Sequence, residues 1–521
     1  MTGARRLVRA AGAVALVLVL VAVLAAGCSG GDAGDGGGDG GAGGGAADAG
    51  PPKVVPDGIA VPAVTGPVTE GRHPAPFNTL PPEIAEEYGY VEEEYLVEGT
   101  AASYVAEGDL TPDGDWTLAE DDAAPYTTRI LVRMPADPED FNGTVVVEWL
   151  NVSGGIDADP HFGMTHPALL GNGFGYVGVS AQAAGIEGGG FRLEIPGFDP
   201  EPLKEWDPER YGGLSHPGDD HSYDIFTQAA AVAAGAAGPD PFEGYGVQRL
   251  LAVGESQSAM RLVSYINGVH PLTGIFDGFL VHSRSAGAAP VQARAADEIA
   301  SGDPVRIRTD LDVPVLVFQT ETDLVGVIGF LPARQPDTEL IRTWEVAGTA
   351  HADRATLDYG VASGLVNEPD ADIRLAEACG EINTGPQRFV VRRALVDLER
   401  WVRAETLPAH AEPIAVEDGA IVRDEHGNAV GGVRTPAVDV PIATQSGEPP
   451  EETDLFCLLF GHHDDFDEAT LADLYDGPDD YVEQVAASAT GAVEAGFLLP
   501  EDEARIVAAA ETEAAAIPDR P

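Results

Sequence analysis

From Thr128 onward the chain carries its apolar residues in short unbroken runs rather than in strict alternation. The runs are TRILVRM (Thr128 to Met134), TVVVEWLN (Thr144 to Asn151), GYVGVSAQ (Gly175 to Gln182) and RLLAVG (Arg249 to Gly254). FDGFLVHS (Phe276 to Ser283), VPVLVFQTETD (Val313 to Asp323) and IRTWEVAG (Ile341 to Gly348) continue the series. Unbroken runs of this length fit strands buried on both faces, the habit of a parallel sheet. The first two flank the turn PADPEDFNG and read as a strand pair. Helix-like stretches lie between later runs: YDIFTQAAAVAAG before Arg249, SAMRLVSYINGV after it, and ADEIASG before Val313. This alternation predicts an α/β fold with a mostly parallel central sheet flanked by helices.

Ligands of such sheets sit beyond the carboxyl ends of the strands. That rule gathers Asn151 to Gly155, Ser256, His282 to Ser285, Glu321 to Asp323 and His351 along one rim. Two stretches fall outside the alternation. Ala183 to Ser222 is a long Gly/Pro-rich loop with Phe191, Phe198, Trp206 and Tyr211, which reads as a binding loop or lid or as an ordered excursion. After Arg403 come the turn-rich strand region DEHGNAVGGVRTP and a segment of helical pattern, Glu451 to Pro521, expected to pack on the domain as an extension over about residues 440–521.

The N-terminus changes the picture from fold to place. Arg5, Arg6 and Arg9 precede an apolar run from Ala10 to Ala26, then LAAGCSGG. This order reads as an export signal over residues 1–27, and LAAG before Cys28 resembles the lipobox of bacterial lipoproteins. The resemblance implies lipid on Cys28 and attachment to the outer face of the cell membrane. Residues 28–57 are Gly/Asp-rich and read as a flexible tether, which leaves 58–521 as the folded domain. With Cys28 acylated, Cys379 and Cys457 remain, and an oxidising compartment predicts a disulfide between them; two free thiols are the alternative.

Charge excludes some partners. With 29 basic and 86 acidic residues the net charge is −57. Such a surface repels phosphate backbones, so no nucleic-acid partner is expected.

The chemistry converges on GESQSA. A serine in Gly-x-Ser-x-Ser, between a buried strand and a helix, reads as a nucleophile elbow at Ser256. The second small residue is Ser258 rather than the more usual glycine. His351, in the loop after the last apolar strand, is placed to act as base. Asp323, at the turn past the Val313 strand, is the expected acid, with Glu321 as the alternative. The oxyanion hole is assigned to the backbone N–H groups of Gln257 and Val152, with Asn151 or Ser153 next in line. Glu148, in an apolar strand, needs a partner, for which Arg284 or Arg261 is available. Adjacent His462, His463, Asp464 and Asp465 in an acidic loop read as solvated rather than as a metal site. No metal or cofactor is expected.

These blocks, with GFLVHSRSAG, RTWEVAGTAHAD and GNAVGGVRTPAVDVP, resemble a bacterial α/β-hydrolase domain family of largely uncharacterised secreted or lipid-anchored proteins. The resemblance implies the α/β-hydrolase fold, Ser256 as nucleophile and His351 as base, and no particular substrate. The reading that follows is an exported serine hydrolase acting on a small-molecule carboxylic ester. An amidase or peptidase using the same groups is one rival, and a non-catalytic surface binding protein on the same fold is another.

Overall fold

The computed structural model describes residues 50–190, 192–195, 200–292, 303–371, 379–449 and 454–518. Cys28, Phe191, Phe198 and the ADEIASG stretch lie outside the described residues, as do the export signal and most of the tether. Residues from Ala47 onward belong to one compact unit. No helix among the described residues is long and apolar enough to cross a membrane.

The unbroken apolar runs are strands of one nine-stranded sheet. In chain order these are β1 (Ala63–Thr65), β2 (Tyr90–Ala106), β3 (Leu118–Pro135), β4 (Thr144–Trp149), β5 (Gly175–Val179), β6 (Arg249–Glu255), β7 (Gly278–His282), β8 (Val315–Thr320) and β9 (Ile341–Val346). Their order across the sheet is β1-β2-β3-β5-β4-β6-β7-β8-β9. From β5 to β9 every neighbouring pair is parallel, while β1, β2 and β3 are antiparallel to their neighbours.

The reason for the unbroken runs is visible in the packing. Val145, Val147, Leu250, Ala252 and Val281 enter one apolar layer, and Val146, Leu251, Val253, Leu280 and Phe318 enter the other. Successive side chains point to opposite faces, and both faces are dry. One layer is closed by Phe226 and Ala230 of the Ser222–Ala233 helix and by Leu262 of the Gln257–Ser264 helix. The other is closed by Phe162 and Leu169 of the Pro160–Gly171 helix and by Val391, Leu395 and Leu398 of the Gln387–Ala404 helix. That last helix repeats its apolar residues at helical period and stops at Glu405, which takes a left-handed conformation with φ 53°.

Two expectations need correction. The Thr128 and Thr144 strands are not a pair: β5 lies between them and bonds to both. In a sheet built by crossovers, a short connection does not make two strands neighbours. The C-terminal segment is helical at Pro478–Glu494 and Pro500–Glu513, but His462–Asp465 is a strand paired with Ala443–Ser446. The helices pack on the domain through Leu498, in the sheet's second apolar layer, and through Leu499, which meets Ala168 and Val396.

Cys379 and Cys457 form a disulfide across 78 residues. The expected pairing is therefore present, and it sits in an apolar cluster with Ile382, Phe456 and Phe460. Opening a loop of that length removes about 4 kcal/mol in the chain-entropy account. Cys379→Ser with Cys457→Ser should therefore lower the thermal midpoint of unfolding without changing the far-ultraviolet circular dichroism. An unchanged midpoint would show that the bond does not stabilise the fold.

Candidate active site

Strand β6 runs straight into the Gln257–Ser264 helix with one residue, Ser256, at the corner. Its backbone is held at φ 61° and ψ −119°, a region that costs a non-glycine residue roughly 1–3 kcal/mol. Ser256 N–H donates to His282 O at 2.9 Å, which fixes the corner to β7. The corner is possible because strand and helix come close at Gly254. A Cβ there would lie 3.1 Å from the Cβ and carbonyl carbon of Ser258 and from Leu262. The glycine at 254 thus makes room for the Cβ that Ser258 carries where the usual motif has none.

Three side chains meet at this corner. Ser256 Oγ lies 2.8 Å from His351 Nε2, and His351 Nδ1 lies 2.6 Å from Asp323 Oδ1. The other carboxylate oxygen of Asp323 accepts from Thr320 N–H at 2.7 Å and Thr320 Oγ1–H at 2.8 Å, so the acid is locked to the end of β8. His351 itself is held by its N–H, which donates to Thr322 Oγ1 at 3.1 Å.

Glu321 is not part of this contact. Fully buried, it accepts from Gly348 N–H at 2.6 Å and Gly447 N–H at 3.1 Å, and it pairs with Arg423 at 3.1 Å. Burial pushes its carboxyl up, and Arg423 with the two N–H donors pulls back. Its geometry ties the loop before His351 to the C-terminal region.

The loop after β4 faces the serine. Asn151 Nδ2 donates to Glu255 O at 3.0 Å, and Asn151 and Ala158 exchange backbone hydrogen bonds that close the loop. Asn151 N–H is spent on Ala158 O and Ser153 N–H on Asn151 Oδ1. Val152 lies between these two engaged donors. Gly155, at φ 78°, turns the loop under Arg192.

A serine, a histidine and an aspartate in one relay, on a mostly parallel sheet of this topology, suit a hydrolase. The sequence family described as an alpha/beta hydrolase domain matches residues 64–508. The chain belongs to this α/β-hydrolase family. No curated protein matches it in sequence. Among solved structures, an α/β serine hydrolase without a lid from Xanthomonas campestris is 11% identical, with 53% of this chain and 97% of that chain covered and a TM-score of 0.25. A glucuronoyl esterase from Solibacter usitatus is 10% identical, with 60% and 88% covered and a TM-score of 0.28. A fungal esterase structure from Rhizomucor miehei gives 11%, 56%, 92% and 0.25. Similarity this slight says nothing about substrate.

Other side chains of the hydrolase depart from the sequence reading. Glu148 pairs with no arginine among the described residues. It accepts from His161 N–H at 3.1 Å, Phe162 N–H at 3.0 Å and Tyr176 OH at 2.9 Å. Backbone donors at a helix start satisfy it, and these leave no mark in the sequence. Among the described residues Arg284 bonds only to carbonyls, those of Ser285, Ala286, Gly287 and Val305, while Arg261 pairs with Asp219. His462 bonds to Glu448 O, and His463 to Gln445, Thr384 and Asp465.

Much of the Ala183–Ser222 loop is pinned to the antiparallel part of the sheet. Trp206 stacks on His73, in the connection between β1 and β2, at 3.8 Å, and Tyr211 OH reaches Glu94 of β2 at 2.8 Å. Arg192 to Ile195 differ, since Leu193 N–H donates to Ser153 O at 2.7 Å.

Three groups near the site escaped the sequence reading. Arg129 pairs with Glu94 at 2.9 Å and Asp157 at 3.2 Å, and Arg133 with Glu92 at 2.7 Å and Asp159 at 2.8 Å. Through Asp157 and Asp159 these buried arginines of β3 hold the loop that carries Val152. The signal was two arginines in an otherwise apolar strand. The third is Glu255, whose Oε1 lies 3.3 Å from His351 Nε2.

Removing the Glu321 carboxylate leaves two N–H donors unpaired and Arg423 with one partner fewer. Glu321→Ala should cost about 3–5 kcal/mol, read as a lower unfolding midpoint in denaturant. Loss of activity at unchanged stability would instead place Glu321 in the chemistry.

Proposed function

We propose that this protein is a serine hydrolase that cleaves a carboxylic ester through an acyl-enzyme, exported and held at the outer face of the cell membrane by lipid on Cys28. The observation that carries the catalytic reading is the unbroken relay from Ser256 Oγ through His351 to Asp323, with both contacts within 2.8 Å. Ser256 Oγ attacks the ester carbonyl as its proton passes to His351 Nε2. Asp323 keeps the Nδ1 proton in place and stabilises the imidazolium. The N–H groups of Gln257, at the start of a helix, and Val152 receive the oxyanion. The imidazolium then protonates the departing alkoxide. A water gives its proton to the same nitrogen, attacks the acyl-enzyme and releases the acid. Every step uses groups of this chain.

Export is supported by the basic and apolar stretch before Cys28 and by a disulfide, a bond that persists in oxidising compartments.

Ser256→Ala should lower ester turnover by about a millionfold with unfolding unchanged, and Asp323→Asn should lower kcat about ten-thousandfold. Assays against matched aryl esters and anilides check this; equal turnover of the anilide replaces the ester reading with an amidase. Cys28→Ser should move the protein from the membrane fraction to the soluble fraction. A variant still sedimenting with membranes contradicts the anchor.

A further inference from the structure

The nitrogen of His351 that faces the serine also faces a second acid. Glu255, the residue between Gly254 and the nucleophile, is only 5% exposed, and its Oε1 lies 3.3 Å from His351 Nε2. Its backbone carbonyl and its Oε2 both turn to Asn151 Nδ2, at 3.0 and 3.5 Å. The side chain is thus fixed from one side by the oxyanion loop and aimed on the other at the atom that accepts the serine proton. We propose that Glu255 is a positioning residue of this hydrolase: its carboxylate holds the His351 imidazolium from the Nε2 side while Asp323 holds it from the Nδ1 side. The proposal rests on the serine-hydrolase reading and adds a second acid to it.

Groups from four elements surround His351, and two of them are carboxylates. Asp323 stands at the end of β8 and Glu255 at the end of β6. His282, at the end of β7, lies beside His161 and shares the Gln387 amide with His351, and burial keeps both His282 and His161 neutral. From the Gln387–Ala404 helix comes an amide, Gln387 Nε2, 3.5 Å from His351 O, and from the turn after β8 that carries Asp323 comes Thr322, whose Oγ1 accepts from His351 N–H. Two carboxylates therefore face one imidazole, with no cation opposing them among the described residues.

The consequence has a definite sign. Burial alone would lower the histidine, but Glu255 and then Asp323 override it and hold His351 at about 9. Burial lifts Glu255 to about 7, against the pull of His351 and with the push of Asp323. A base held this high is protonated at neutral pH and accepts the serine proton only as pH rises through its value. Once it does, an ionised Glu255 stabilises the imidazolium formed in the transition state. The geometry thus exchanges activity at neutral pH for rate at alkaline pH.

The test is the rate of phosphonylation by a fluorophosphonate probe across pH, read by intact mass on the whole chain, for wild type and Glu255→Gln. Glutamine keeps the shape and removes the charge. The acid limb of the variant should move down by about one to three pH units, so it reacts about tenfold or more faster near neutrality, with a lower alkaline plateau. A purely structural Glu255 would change the rate but not the midpoint. A labelled wild type with an unmoved midpoint in the variant overturns this proposal alone. Should the variant not fold, the wild type still decides, because one carboxylate at Nδ1 leaves the base near neutrality. A wild-type midpoint near or below neutrality overturns the proposal, and a midpoint near 9 supports it. A wild type that takes no adduct at any pH overturns the hydrolase reading and this proposal with it.

Discussion

The structure depends on how closely strand β6 and the helix after it approach. Gly254 and Ser258 meet so closely that a second Cβ, at 254, would lie 3.1 Å from Ser258 and Leu262 and would need its neighbours to shift by a few tenths of an ångström. That contact leaves the chain a single residue in which to turn, and the single residue is Ser256, forced to positive φ. Strain of this kind persists only where the surroundings over-determine it. Here the surroundings are a strand pinned on both sides, the bond from Ser256 N–H to His282 O and a dry apolar layer beneath the helix. The hydroxyl then has one place to go, out at the carboxyl ends of the parallel strands, where the loops after β8 and β9 bring Asp323 and His351.

Around that corner the protein uses its scarce cations inside. Against 86 acidic residues stand only 29 basic ones, yet Arg129, Arg133 and Arg261 are fully buried and paired. Arg129 and Arg133 fix the loop of Val152, and Arg423 with Glu321 fixes the loop of His351. Buried pairs of this kind are poor sources of net stability, but losing one partner is costly, so they specify loop position well. The site is thus framed by arginine–carboxylate pairs, while at its centre two carboxylates, Asp323 and Glu255, share one imidazole, that of His351.

Most of this architecture was legible because a two-sided sheet writes itself as unbroken apolar runs, and β4 to β9 are all such runs. Strand β2 was not, since YVEEEYLVEG interleaves acids of two kinds: Glu92 and Glu94 pair with the buried Arg133 and Arg129, while Glu93 and Glu98 are exposed. The neighbour of β3 was misread because chain proximity does not decide pairing where β5 crosses over. The meeting of Ser256, His351 and Asp323 followed from residue order and strand ends. Glu321, two residues away with the same side chain chemistry, could be separated from Asp323 only by seeing which carboxylate reaches the ring. The partners of Glu148 were illegible because they are mostly backbone. Glu255 did leave a signal, an acid ending an otherwise apolar buried strand beside the candidate nucleophile.

The central claim is that Ser256 is an activated nucleophile. Treatment of the whole protein with a fluorophosphonate, followed by peptide mapping in wild type and in His351→Ala, tests it without knowledge of the substrate. The account predicts one adduct, on Ser256, that disappears when His351 is removed. An adduct on another residue, or labelling of Ser256 that persists without His351, would contradict it.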